Sequence, residues 1–183
     1  QFDLSPIERL SDIGFSNMGM MRLLILSLLS FVAGTGTLHG AACALTVAAD
    51  GSGDVRTVSE AIGKVPSDNR TRCLIRIKPG VYEEQIRVPA NKPYISFVGE
   101  SAEKTVLSFK LSNKEAGSTS AAYATYIGGH DFHAENITFE NSFGAGSQAV
   151  AALVEADRAV FKNCRFLGWQ DTLYAKNGRQ YYK

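Results

Sequence analysis

Cysteine and histidine are scarce, with three of each in 183 residues and no Cys-x-x-Cys or His-x-x-x-His spacing. That excludes a four-ligand zinc site and a disulfide-framed miniprotein. Charge of one sign is also lacking: nineteen Lys plus Arg against eighteen Asp plus Glu leave +1, which provides no electrostatic footprint for nucleic acid. The uncharged run Leu23–Ala33 (LLILSLLSFVA) falls short of the roughly 20 residues a membrane-spanning helix needs. The glycine-rich Asp50-Gly51-Ser52-Gly53-Asp54 has Arg56 where a dinucleotide loop would place its third glycine; such a loop is therefore excluded. What remains, 45% hydrophobic and 20% charged residues, describes one globular domain with a sizeable core.

Arg22, the apolar run, Gly34 and Gly36, and the small residues of Ala42-Cys43-Ala44 have the arrangement of a secretory signal peptide over residues 18–44. Residues 1–17 precede Met18 and are read as upstream translated sequence or the remnant of a longer gene model, outside the folded domain of residues 45–183. Secretion would expose Cys73 and Cys164 to an oxidising compartment, as a disulfide or as two buried thiols. It would also give meaning to the sequons Asn69-Arg70-Thr71 and Asn136-Ile137-Thr138. The first lies in a polar loop and is the better acceptor; the second sits in a strand-like run.

After the strand-like Leu45–Ala48, both glycines of the Asp50–Asp54 turn are expected at positive φ. Thr57-Val58-Ser59-Glu60 is a capping box. Val58, Ala61, Ile62 and Val65 follow at helical spacing and Pro66 stops them, so a short amphipathic helix should cap the end of a sheet or solenoid. Beyond Cys73 helical spacing does not return. Short β runs follow instead, at Leu74–Ile77, Gln85–Val88, Tyr94–Val98, Thr105–Phe109, Tyr123–Ile127, Ile137–Phe139, Ala149–Val154 and Ala159–Phe166. Alternation turns Ile75, Ile77, Ile86 and Val88 inward and Arg76 and Arg87 outward. An offset of about 27 residues superposes Tyr126-Ile127 on Leu153-Val154, and Asn136-Ile137-Thr138-Phe139 on Asn163-Cys164-Arg165-Phe166. A repeat of that size made of strand-length pieces suggests a parallel β-helix; chance similarity within an antiparallel sandwich is the alternative.

Among residues that could do chemistry, Asp171 stands between Gln170 and Thr172 beside Trp169 and Tyr174. Desolvation by those aromatics would keep a carboxyl protonated as a general acid, whereas a turn-closing Asp is the plain reading. Gln148 opens an apolar strand, and its NH2 could donate to an oxyanion or close a loop. Glu84 reads as an ion pair or loop anchor. His130 and His133 fall on opposite faces of a strand and share no metal. Gly117–Ser120 reads as a loop whose hydroxyls could line a saccharide groove.

In order along the chain, Asp50–Asp54, Gly80-Val81-Tyr82-Glu83-Glu84, Asn136–Phe139, Gln148–Ala152 and Gln170-Asp171-Thr172-Leu173-Tyr174 resemble the plant-type pectin methylesterases (pectinesterases) from Leu45 to Lys183. The resemblance implies an all-β fold, a right-handed parallel β-helix, and secretion to the cell wall. It implies a carboxylic ester hydrolase that removes methyl esters from homogalacturonan and uses no metal or organic cofactor. It makes Asp171 the general acid, Gln148 and Gln170 the donors to the tetrahedral intermediate, and Thr119 a contact to the galacturonate chain, with Gln148 also at the substrate. A proteinaceous pectinesterase inhibitor becomes a possible partner of a monomeric enzyme. Two departures stand out. The family's nucleophilic Asp, in an Asp-Phe-Ile-Phe-Gly segment, is not among these 183 residues, so the chain as it stands reads as an incomplete and inactive catalytic domain; Ala152 replaces the usual Leu of the Gln148 motif. A non-catalytic saccharide-binding solenoid is the competing function, whereas a lyase or polygalacturonase is disfavoured because no acidic cluster for calcium or paired-carboxylate hydrolysis is present.

Overall fold

The computed structural model describes residues 43–183; the upstream segment and all of the signal-like stretch before Cys43 lie outside them. The described chain is a parallel β-helix. It opens with strand β1 (Ala44–Val47) and helix α1 (Val58–Lys64), followed by β2 (Cys73–Ile77), β3 (Gly80–Glu83) and β4 (Ile86–Val88). The next coil contains β5 (Ile95–Gly99), β6 (Thr105–Phe109), a single-turn helix α2 (Asn113–Ala116) and β7 (Tyr123–Ile127). Then come β8 (His133–Glu135), β9 (Thr138–Asn141), β10 (Val150–Val154), β11 (Ala159–Lys162), β12 (Arg165–Leu167), β13 (Leu173–Ala175) and β14 (Gln180–Tyr182). Three sheets result, in the orders β1-β2-β5-β8-β11-β14, β3-β6-β9-β12 and β4-β7-β10-β13. Every strand pairing in them is parallel, which removes the antiparallel sandwich.

The internal repeat is the coil register itself. Thr138 lies opposite Arg165 and Phe139 opposite Phe166, while Tyr126 and Ile127 lie opposite Leu153 and Val154. At the β8–β9 corner and again at the β11–β12 corner an asparagine takes the left-handed conformation, Asn136 at φ 59° and Asn163 at φ 49°. Asn tolerates that region better than other non-glycine residues. Asn163 Nδ2 donates to Asn136 Oδ1 at 2.6 Å across 27 positions. The same corner divides the run expected over Ala159–Phe166 into β11 and β12, because an αL residue turns the strand away.

Inward residues stack from coil to coil. Phe97, Phe132, Phe139 and Phe161 are essentially fully buried. Phe161 touches Phe132, Phe139 and Phe166, and lies parallel to Tyr182 with ring centroids 4.9 Å apart. Burial of each such ring contributes about 1.5–3 kcal/mol, with a further ~0.5–1.5 kcal/mol for a well-oriented aromatic pair. Arg76 and Arg87 are exposed while Ile75, Ile77, Ile86 and Val88 are buried, as the alternation requires.

Helix α1 closes the first coil. Thr57 is its N-cap and forms the full capping box with Glu60, and Val58, Ala61 and Ile62 are buried. Glu84 reaches across from the end of β3 to accept from the backbone N–H groups of Val58 (2.7 Å) and Ser59 (2.9 Å). The loop-anchor reading of Glu84 therefore takes the specific form of a second cap on the positive end of α1. In the preceding turn Gly51 adopts φ 84°. Gly53 is needed for a different reason from the one expected: a Cβ there would stand 2.5 Å from the Thr46 carbonyl oxygen.

Two further expectations change. Cys73 is bonded to Cys43, which faces it across the β1–β2 pair with a Cα–Cα distance of 4.5 Å; Cys164 is the free thiol. A signal that ends at Ala44 includes Cys43, so the sequence reading leaves Cys73 without this partner. Burial pushes the Cys164 thiol up to about 11, so it remains protonated and inert near neutral pH. Helical structure does return, in α2. The Ser112-Asn113-Lys114-Glu115 capping box is too short to leave a hydrophobic period.

Candidate functional site

The third sheet ends at a turn that brings Asp171 and Thr119 to one shallow pocket of about 380 Å³, lined also by Ser120, Leu173 and Tyr174. Asp171 immediately precedes the short β13, and both Gln170 (φ 61°) and Asp171 (φ 57°) are left-handed. Two consecutive non-glycine residues in that region mark a constrained turn of the kind found at functional sites. Its restraints come from the start of β10. Ala149 N–H donates to the Gln170 carbonyl at 3.2 Å, and the N–H groups of Ala151 and Ala152 both reach the Thr172 carbonyl, at 2.9 and 3.2 Å. The pairing of Ala152 with Leu173 and Leu153 with Tyr174 then continues the ladder. Asp171 is thus projected from the sheet edge by backbone bonds rather than by side-chain packing. Asp171 is exposed, and so is its neighbour Trp169, at 58%.

Gln148 lies just before β10 and is half-buried. A residue that sequence reasoning did not single out holds it. Asn113, the first residue of α2, donates its backbone N–H to the Gln148 carbonyl at 2.8 Å. Its side-chain Nδ2 donates to Gln148 Oε1 at 3.1 Å and to Thr119 Oγ1 at 3.0 Å. This fixes a polarity. The bond from Asn113 takes one acceptor site of Gln148 Oε1 and orients the amide so that its NH2 can donate to a ligand, and Thr119, already accepting, keeps its own hydrogen to donate. Both groups then present donors, which is what an anionic oxygen requires.

Helix α2 stays in place through its cap and through Asn141. Ser112 Nα–H and Oγ–H both donate to Glu115 Oε2, at 2.9 and 2.7 Å. The backbone and then the side-chain bond from Ser112 hold the Glu115 carboxyl below the usual carboxylate range. Asn141, 2% exposed at the end of β9, donates to the carbonyls of Leu111 (2.9 Å), Ala122 (3.3 Å) and Val150 (3.1 Å). Its Oδ1 accepts from the N–H groups of Leu111 and Phe143, both at 3.2 Å. One buried amide therefore ties the α2 loop, the entry to β7 and the entry to β10 to the same coil.

The structure brings Asp171 and Thr119 to one pocket and links Gln148 to Thr119 through Asn113. Gln170 is exposed, and only its backbone carbonyl is engaged. Asn113 and Asn141 were missed as site-building residues; the one available signal was the S-x-x-E pattern at Ser112, which marks a helix start next to the hydroxyl-rich loop. Among the described residues no group of three or more His, Cys, Asp or Glu side chains could hold a metal ion.

Comparison with known proteins agrees with this fold. The Pectinesterase family model matches residues 44–183. "Pectinesterase 31" of Arabidopsis thaliana is 48% identical over 148 residues, covering 75% of this chain and 47% of the relative. "Pectinesterase/pectinesterase inhibitor" of Brassica campestris is 44% identical over 140 residues, covering 75% of this chain and 24% of the relative. Among solved structures, pectin methylesterase from carrot superposes with a TM-score of 0.74 at 41% identity, over 75% of this chain and 44% of that one. The Aspergillus niger enzyme does so with a TM-score of 0.70 at 32% identity, over 78% and 48%. The chain therefore spans less than half the length of these proteins. A matching family model over residues 44–183, together with these identities and the shared parallel β-helix, establishes that the chain belongs to the pectinesterase family.

Proposed function

We propose that these residues form the acid and oxyanion-binding part of a carboxylic ester hydrolase that removes methyl esters from homogalacturonan and releases methanol. The observation that carries this reading is the shared polarity of Gln148 and Thr119, both accepting from Asn113 so that their donors remain for a ligand, with Thr119 lining the same pocket as Asp171. In ester hydrolysis the carbonyl oxygen gains charge as it is attacked and the alkoxide needs a proton. Amide N–H groups of Gln148 and Gln170 answer the first need and the Asp171 carboxyl the second, returning as base towards water. The attacking group, a carboxylate in the family, is not supplied by the pocket lining. No metal or organic cofactor has a part in these steps.

The accompanying setting is a secreted, monomeric cell-wall protein for which a proteinaceous pectinesterase inhibitor is a candidate partner. The signal-like residues from Met18 and the Cys43–Cys73 bond favour the secretory route, since disulfides persist in oxidising compartments. Cleavage after Ala44 would discard Cys43. A cut ahead of Cys43, with Gly40 and Ala42 as the small residues, keeps the bond. Asn69 is the favoured glycan acceptor, because Asn136 is engaged in the asparagine pair between coils. The experiment is methanol release from methyl-esterified pectin by a complete catalytic domain that carries these residues. Asp171→Asn should lower turnover by about 10²-fold or more, since the isostere cannot shuttle a proton; near-normal release would reduce Asp171 to a turn residue. Saccharide binding without turnover in the complete domain would support the non-catalytic solenoid instead.

A further inference from the structure

Outward positions of the third sheet form a column that the ester chemistry does not use. Arg87 lies opposite Tyr126 in the β4–β7 pair, Tyr126 opposite Leu153 in β7–β10, and Leu153, itself covered, opposite Tyr174 in β10–β13. Tyr174 is also a wall of the Asp171 pocket, so the column runs from that pocket across three strand spacings, about 14 Å at ~4.8 Å each. At its far end the Arg87 guanidinium lies over the Tyr126 ring, 4.3 Å from the centroid, and donates to the Tyr123 hydroxyl at 3.1 Å. Tyr123 and Tyr126 touch, with centroids 5.6 Å apart. The acidic group on this face, Glu155, is already taken: it accepts from Tyr126 Oη at 2.9 Å and pairs with Lys176 Nζ at 2.8 Å. Among the described residues no carboxylate lies within ion-pair distance of Arg87.

We propose that Arg87 is a subsite for the free carboxylate of an unesterified uronate unit, with the Tyr126–Tyr174 column carrying the intervening sugar rings to Asp171. The proposal rests on the saccharide-processing reading above and extends it from the reacting ester to the charge state of the polymer some distance away. The guanidinium is held by its stack and its bond to Tyr123, so little freedom is lost when it binds, and its remaining N–H groups form a planar fork that matches a carboxylate. A methyl ester at the same place has no charge and forms weaker hydrogen bonds. Flat tyrosine faces suit the apolar faces of pyranose rings and do not select for esterification. A span of this length calls for an oligomer rather than a single sugar. The site therefore favours chains in which an already de-esterified unit lies several positions from the ester at Asp171.

The test is binding of two probes to the full chain, fully de-esterified hexagalacturonate and its fully methyl-esterified counterpart, followed by calorimetry and by NMR shifts. The acidic hexamer should bind more tightly at low salt, and its advantage should shrink as ionic strength rises. Arg87→Gln should weaken the acidic hexamer by about ten-fold and leave the ester unchanged, while Arg87→Lys should recover part of the loss. Arg76→Gln, on a different sheet, should change neither. Tyr126→Ala should weaken both. If Arg87→Gln binds the acidic hexamer like the parent while both probes still shift Thr119 and Tyr174, the Arg87 assignment is wrong and the saccharide reading stands. If the parent binds neither probe, both fall.

Discussion

Replacing Asn141 by Ala tests whether one buried amide supports the candidate site. Three backbone groups in the loops beside it, the Leu111 N–H, the Leu111 carbonyl and the Phe143 N–H, find their partner in this side chain. Two more carbonyls lose a donor, although Ala122 O keeps the Val150 N–H at 3.0 Å. Each orphaned buried group costs about 1–3 kcal/mol. Leu111 and Phe143 are only half-buried, so water recovers part of that and the low end applies, about 3 kcal/mol in all. Against a domain stability of ~5–15 kcal/mol this is a large loss. Urea unfolding of the full chain by circular dichroism should show the midpoint falling accordingly. Exposed Ser142→Ala, next to it, should shift it by less than about 0.5 kcal/mol. Hydrogen exchange should speed up most over residues 111–119, the segment that carries Asn113 and Thr119. Equal midpoints for the two variants would refute the claim that Asn141 organises these loops.

Other outcomes follow from the same structure. Phe161→Ala removes the ring that joins Phe132, Phe139, Phe166 and Tyr182 and should cost about 3–5 kcal/mol in unfolding free energy; a loss under about 1 kcal/mol would mean the stack collapses without harm. Asp131 is held well below the usual carboxylate range, chiefly by its hydrogen bond from Arg158. Its contribution is therefore whole above the unfolded-state value of about 3.9 and disappears as pH falls towards the lower native one. Asp131→Asn should flatten that acid limb of a stability-against-pH curve, and an unchanged limb would contradict the pairing. Amino-terminal sequencing of secreted protein should find Cys43 retained and, after non-reducing digestion, linked to Cys73, whereas a start at Leu45 would rule out that bond in the mature chain. These 183 residues alone should release no methanol from esterified pectin above buffer, because the pocket lining holds a single carboxyl, Asp171, where the proposed chemistry needs an acid and an attacking carboxylate; measurable turnover would displace the family's nucleophile from the mechanism.

Legibility from the sequence divided along physical lines. The α1 cap, the inward and outward alternation of β2 and β4, and the 27-residue register between the later coils were readable because each repeats a local rule several times. The split of β11 from β12 was not: it depends on one backbone angle at Asn163, and nothing in Phe161-Lys162-Asn163-Cys164 announces it. The short β8, β13 and β14 have too few residues to establish a period and exist because the preceding coil offers a partner. At the candidate site, the resemblance named Asp171, Thr119 and Gln148 as expectations, whereas Asn113 and Asn141 act through bonds between residues far apart in sequence, 35 positions in the case of Asn113 and Gln148. Such bonds leave no spacing pattern. Adjacency to aromatic residues in sequence says nothing of burial: Asp171 and Trp169 are both exposed.

The stacked register also bears on how the chain is made. Each strand finds its partner one coil later, as with the 27 positions between Asn136 and Asn163, and none of these pairings waits for a distant segment. The first coil has two closures of its own, the Cys43–Cys73 bond spanning 30 positions and helix α1 with its Glu84 clasp. A chain emerging from the ribosome amino end first could thus complete a sealed base before later coils exist, and each new coil would meet a finished template. Growth would be vectorial, like laying courses on a foundation, each new coil closing a loop onto the one already in place. An error in the first coil should then do more harm to yield than an equal error in a later one.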